Sequence, residues 1–223
     1  MDDILYDKHC ECLACATEFT TKKVRSNRMR TISRDSDLCS YFADVNPYYY
    51  ESNVCPHCGF AFTDSFSPLR ANQKESIYAD YKNHYLPQGA PNLCGVRNVN
   101  EAILSFKLAL GAGFAKKEQP RFLAGICMRL AWLYRAEKNT AAELEFLEAA
   151  NRFFQVAYET QQDSLSDAHF LHMLGDTSLR LGRLDQARQW FSQLFTPTHA
   201  DYAHIDLARE AWAARKNEQN AKG

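Results

Sequence analysis

The feature that most constrains this chain is a pair of Cys-x-x-Cys steps, Cys12-Leu13-Ala14-Cys15 and Cys55-Pro56-His57-Cys58, separated by 39 residues. In a zinc knuckle the two thiolates of one such turn reach a single ion, while backbone N–H groups of the turn point at the sulfurs. Two knuckles complete a tetrahedral shell with Zn–S of about 2.3 Å. The spacing predicts one structural Zn2+ held by Cys12, Cys15, Cys55 and Cys58, because four thiolates leave no position open for water. In the second turn Pro56 pre-sets the backbone, and Gly59 tolerates the positive φ that closes it behind the sulfur. The first turn carries Leu13 and Ala16 where proline and glycine would be expected, and is the less ideal half.

Six of the eight cysteines fall before residue 60, in a stretch of short strand-like runs broken by Asn, Pro, Asp and Ser. A head of that size has too little core to fold without a staple, which a metal supplies. The whole chain, at 223 residues with 46% apolar and 24% charged side chains, can bury a real core and is not a disordered polymer. Its 26 basic and 27 acidic residues nearly cancel, which removes the broad positive field of a nucleic-acid binder. No apolar run reaches the ~18 residues of a membrane span, and the acidic start Met1-Asp2-Asp3 is unlike a signal peptide. The expectation is a cytoplasmic protein, where clustered cysteines hold metal or do redox work.

Redox is the enzymatic alternative. Cys-Pro-His-Cys is also the active-site tetrapeptide of the DsbA thiol oxidants, in which the His and a helix N-terminus lower the first thiol's pKa. That chemistry at Cys55 and Cys58 needs a long helix after the motif. Here Gly59-Phe60-Ala61-Phe62-Thr63-Asp64 continues as a strand or turn. Cys94 and Cys127 read as small buried hydrophobes. His9 and Cys10 could serve as alternative ligands beside the first knuckle, and Cys39 as a fifth thiol near the metal; the plainer readings are polar loop residues for the first two and head packing for Cys39. His169, His172, His199 and His204 have no Cys or carboxylate at metal spacing. No nucleophile elbow, phosphate loop or HExxH motif is present, so the chain is read as a non-enzyme.

Lys22, Lys23, Arg25, Arg28, Arg30 and Arg34 place six positive charges in thirteen residues without one acid. On a strand, Arg28, Arg30 and Ile32 share one face, with Met29 and Thr31 on the other. Such a ribbon over residues 22–34 could track phosphates as a nucleic-acid adaptor. No aromatics interleave it, and Asp35 and Asp37 stand ready to balance it. A solvated face is the better reading, without nucleic acid as a partner.

From residue 98 the composition turns to Ala, Leu, Glu, Gln and Arg at helical spacing. A recurring Ala-x3-Phe-x2-small pattern appears as Ala102/Phe106/Ala109, Ala149/Phe153/Val156 and Ala187/Phe191/Leu194. These match second-helix positions of a tetratricopeptide (TPR) repeat. Leu130-Ala131-x2-Tyr134 and Leu171-x2-Leu174-Gly175 mark first helices. Successive alanines lie 47 and 38 residues apart, against about 34 in the regular repeat, so the array is irregular. The expected fold class is α+β, mostly α. Residues 1–66 form a zinc-ribbon-like β head and 67–97 a linker with one helix, Ala71 to Tyr85, before the Pro-containing segment 86–91. Residues 98–217 form a TPR-like antiparallel helical array. Mapped on the repeat, Met128, Trp132 and Arg135 from one helix and His169, His172, Asp176 and Arg180 from the next face one groove. That groove suits a protein or peptide partner with an acidic element.

The ordered series Cys12-x2-Cys15-x3-Phe19, Lys22-Lys23-Val24-Arg25, Ser33-Arg34-Asp35-Ser36-Asp37, Asn46-Pro47 and Cys55-Pro56-His57-Cys58-Gly59-Phe60 resembles an uncharacterised bacterial family, number 2225 among the domains of unknown function. The resemblance runs over nearly the full length. It implies a bacterial cytoplasmic protein with a Cys-rich head and TPR-like helices, and brings no activity or substrate. The family's usual CPxCG form is departed from in the first knuckle.

Overall fold

Both Cys-x-x-Cys steps sit where an antiparallel strand pair turns back on itself. The computed structural model describes residues 4–85, 89–160, 167–196 and 201–220. The acidic start at 1–3, residues 86–88 of the Pro-containing segment, and His199 lie outside them. Strand β1 (Leu5–Glu11) pairs with β2 (Glu18–Val24), β3 (Thr31–Arg34) with β4 (Ser40–Phe42), and β5 (Ser52–Val54) with β6 (Ala61–Thr63). The first knuckle joins β1 to β2, and the second joins β5 to β6. A lone two-stranded hairpin is marginal in water, so each pair needs an outside anchor.

Among the described residues seven helices follow: α1 (Ala71–Tyr85), α2 (Val99–Lys116), α3 (Pro120–Ala136), α4 (Thr140–Thr160), α5 (Asp167–Arg180), α6 (Leu184–Leu194) and α7 (Tyr202–Asn220). The class is α+β, mostly α, as the sequence implied, and α1 has the expected bounds. Local chemistry sets the ends. Asn98 Oδ1 accepts from the Glu101 N–H at 3.0 Å, and the Glu101 carboxylate accepts from the Asn98 N–H at 2.8 Å, a capping box that starts α2. Pro120 opens α3, where its missing N–H costs nothing.

The repeat-like spacing is borne by packing in α2 and α6, where Ala102, Phe106 and Ala109, and Ala187, Phe191 and Leu194, are buried. In α4 the expected stripe is off by one residue. The buried apolar side chains are Leu147, Ala150, Phe154 and Ala157, with Asn151 buried beside them, while Val156 is 43% exposed. Ala149-Ala150 and Phe153-Phe154 are doublets, so spacing alone fits two registers and contact with α3 and α5 selects the second. Where α5 meets α6, a Cβ on Gly175 would stand 2.2 Å from the Phe191 ring. Gly175→Ala is therefore expected to cost about 1–3 kcal/mol through overpacking, read as a lower urea midpoint at unchanged slope.

One apolar cluster runs from Cys12, Val54 and Phe60 in the head through Phe106, Leu130 and Leu174, and a smaller one joins α5, α6 and α7. Head and helices therefore share a core. Arg97 fastens the junction. It is buried, and it donates to the carbonyls of Leu93 at 2.6 Å, Tyr49 at 3.0 Å and Ser52 at 2.7 Å, and to Thr21 Oγ1 at 3.4 Å.

The basic run differs from expectation. Arg28 ends a 3-10 turn and the strand begins only at Thr31, with all four β3 residues exposed, so no Arg28/Arg30/Ile32 strand face forms. Lys22 pairs with Asp7 at 2.8 Å, and Lys23 is buried against Asp64 and the Glu51 carbonyl. Asp35 and Asp37 do not balance the run. They turn toward the helices.

Candidate metal centre

The two knuckles have the same backbone frame. In the first, the Ala16 N–H donates to the Cys12 carbonyl at 2.9 Å and the Cys12 N–H to that of Thr17 at 3.0 Å. In the second, Gly59 donates to Cys55 at 2.9 Å and Cys55 to Phe60 at 3.0 Å. Gly59 has φ +78° and Ala16 φ +57°. The expected weakness of the first turn thus takes a specific form: an alanine held in the left-handed region, at a cost of about 1–2 kcal/mol. Ala16→Gly is expected to raise stability by about 0.5–1 kcal/mol, the relief exceeding the added unfolded-state entropy, and to show as a higher thermal midpoint.

The sulfurs converge. Cys12 Sγ lies 3.7 Å from Cys58 Sγ, Cys15 Sγ lies 3.7 Å from Cys55 Sγ, and all four lie within 4.8 Å of one another. A tetrahedron with arms of about 2.3 Å has edges of about 3.8 Å, so the group fits an ion with four thiolate ligands. Cys12, Cys55 and Cys58 are fully buried and Cys15 half-buried. As bare thiols they share protons unevenly. Hydrogen bonds from Cys12 and Cys58 hold the Cys55 thiol down at about 2; the contact with Cys55 pushes Cys12 up to about 12, and those with Cys12 and Cys55 push Cys58 up. A bound cation would take the place of those protons, so the affinity of the site falls as pH falls.

The other donors stay apart. Among the described residues these four cysteines are the one His/Cys/acid group with ligand atoms close enough to share an ion. Burial pushes the Cys39 and Cys127 thiols up to about 12, as expected of packing residues. Cys10 is half-buried, His9 Nδ1 faces Thr20 Oγ1 at 3.4 Å, and Cys94 Sγ lies 3.7 Å from the Val54 carbonyl. Cys58 leads into β6 rather than a helix, so the second motif lacks the helix N-terminus that activates a thiol oxidant.

The seven groove residues are brought near one another, but not as an open groove. Met128, Trp132, His172 and Asp176 are buried, and residues 35–37 of the head lie against this face. Arg135 grips Asp37 Oδ2 at 2.6 Å and Asp35 Oδ2 at 2.9 Å, and its Nε reaches Glu143 at 2.7 Å. Trp132 Nε1 donates to Asp37 Oδ2 at 3.0 Å. Arg180 spans Asp176 at 2.6 Å, Asp37 at 3.4 Å and Ser36 Oγ at 3.2 Å. Burial alone would push the Asp37 carboxyl up; Arg180 and Arg135 outweigh it and hold the group below its ordinary range. His172 Nδ1 lies 3.2 Å from His204 Nδ1, and burial followed by the His204 charge brings His169 and His172 down to about 4.

Sequence reasoning placed the acidic element on a foreign peptide, whereas the chain supplies its own in Asp35 and Asp37. The usable signal was Arg135 and Arg180 on helix faces otherwise made of Leu, Met and Trp, since buried cations require acids. Which acid answers them is a long-range fact that no local pattern carries.

No curated protein and no solved structure matches the chain. A family model described as an uncharacterised protein conserved in bacteria, domain of unknown function 2225, matches residues 5–215, from the first strand into the last helix. With that span covering both the four-sulfur head and the helices, the chain belongs to this bacterial family.

Proposed function

We propose that the protein is a non-catalytic interaction protein of the bacterial cytoplasm, in which a structural Zn2+ on Cys12, Cys15, Cys55 and Cys58 holds the head rigid and TPR-like helices meet a protein or peptide partner. The observation that carries this reading is the closed sulfur shell. Four ligands from two knuckles, three of them fully buried, leave neither a coordination position for substrate nor an accessible nucleophilic thiol. The close Gly175–Phe191 contact between α5 and α6 supports the TPR-like reading. With the inner face covered by residues 35–37, the surface that remains for a partner is the outer one. There Phe114 is 53% exposed and meets Phe153 at 5.8 Å with the ring planes tilted by 44°, one turn of α4 from the exposed Val156. Apolar side chains grouped in this way suit protein contact.

Two measurements test the reading. Metal analysis of the purified chain should give about one zinc per molecule, with the head thiols unreactive until a chelator is added. Capture from a bacterial lysate should retain partners that Phe114→Ser loses. Metal-free protein that reduces insulin disulfides would instead establish redox work by Cys55 and Cys58.

A further inference from the structure

Between the head and helix α3 lies a cavity of about 440 Å3, within the range of small-molecule sites. One wall is aromatic. Tyr48 and Trp132 stand 5.1 Å apart with their planes 38° from parallel, and Phe154 lines the space near them. Three guanidinium groups border it: Arg34 from β3, and Arg121 and Arg129 from α3. The two α3 arginines are eight residues apart, about 12 Å along the axis and about 80° apart around it. Gly125 lies midway between them, where an added Cβ would meet nothing within 4 Å.

These cations are unspent. Arg34 donates only its Nε, to Ser40 Oγ at 3.1 Å. Arg129 donates only its Nε, to Glu51 at 3.0 Å, and lies over Trp132 at 4.8 Å and Tyr48 at 5.7 Å. Arg121 stacks on Phe122 at 4.6 Å, and its buried Nε has no partner. Among the described residues, then, no terminal guanidinium nitrogen of the three makes a hydrogen bond. Arg97 and Arg135, by contrast, use theirs on carbonyls, a hydroxyl and carboxylates. Asp37, the one acid among the described lining residues, is already taken by Arg135, Arg180 and Trp132. Unmet guanidinium donors beside flat apolar walls match an oxyanion carried on a planar ring. Arginine binds phosphate through paired N–H groups, and rings pack on aromatic faces.

We propose that this cavity binds a nucleoside monophosphate, with the phosphate on Arg34, Arg121 and Arg129 and the base against the Tyr48–Trp132 wall. The bound base replaces the cover that Arg129 gives these two rings, as its guanidinium turns to the phosphate. No Asn or Gln is among the described lining residues, and Asp37 and Ser40 are already bonded to arginines, so no bidentate reading of the base edge is offered and the four common bases bind within about tenfold of one another. The inference is independent of the partner-binding reading above.

The test is calorimetric titration of the purified, zinc-loaded full chain with AMP, GMP, CMP and UMP, and with adenosine and inorganic phosphate separately. The four nucleotides should bind within about tenfold of one another, and each fragment at least about tenfold more weakly than AMP. Gly125→Leu should abolish binding while keeping or raising the thermal midpoint, since it fills the cavity floor and improves helix propensity. Arg121→Gln should weaken AMP by about tenfold or more. The proposal is overturned by absence of AMP binding at millimolar concentration, by inorganic phosphate binding as tightly as AMP, or by either variant binding AMP like the wild type. A ten-nucleotide single strand binding more than a hundredfold tighter than AMP would also overturn it, and would assign the site to nucleic acid.

Discussion

Cys58→Ser is expected to lower stability by about 5 kcal/mol or more, moving the thermal midpoint down by more than about 10 °C, with loss of stoichiometric zinc. The exchange is nearly isosteric, so the effect reads ligation rather than packing. Its size follows from the head's construction: among the described residues it has three two-stranded hairpins, two of which end in knuckles, and no sheet of three or more strands to hold them. A strong chelator at neutral pH should reproduce the change, and should need less time at pH 5.5 than at pH 7.5, because protons compete with the metal for thiolates. The helical far-ultraviolet signal should largely persist, since α5, α6 and α7 have their own apolar cluster. A Cys58→Ser protein with the wild-type midpoint and a full complement of zinc would end the four-sulfur account.

Asp37→Ala should cost about 3–5 kcal/mol, because it leaves Arg135 and Arg180 without their shared counter-charge beneath the head. Asp37→Asn keeps an acceptor for Trp132 and should fall between the two. Urea unfolding measures both. The pH dependence has a definite sign. The folded Asp37 carboxyl lies below its unfolded value, so its contribution is complete above about pH 4 and is lost as pH falls through the folded value. His169 and His172 act earlier. Brought down to about 4, they stay neutral in the fold while the unfolded chain takes up protons from about pH 6.5. Stability should therefore be full above about pH 6.5 and decline toward pH 4, with a further loss below it. A flat urea midpoint between pH 7 and pH 5 would contradict the buried, neutral histidines.

The four-cysteine cluster was legible because its geometry is local: each knuckle is a tight turn whose residue types announce it, and only the pairing of the two turns had to be supplied. Even so, Ala16 follows the glycine pathway without being glycine, so composition understated the first turn. The helices were legible as helices, but the buried phase of α4 was not, since two adjacent doublets satisfy the same spacing. The head-to-helix contact was not legible at all. Asp37 meets Arg135, 98 residues away in sequence, and the still more distant Arg180, and hydrophobic periodicity says nothing about which loop will lie on which face.

Arg97 bears on how the molecule can be taken apart. Its guanidinium is enclosed by oxygens from three head segments and one preceding turn, with no carboxylate among them. A fragment starting at Asn98 would strip those oxygens of their donor and bare the side of α2 that β5 and β6 now cover. Cloning boundaries drawn at the composition change would thus yield halves that aggregate, and productive deletion work has to begin from the intact polypeptide.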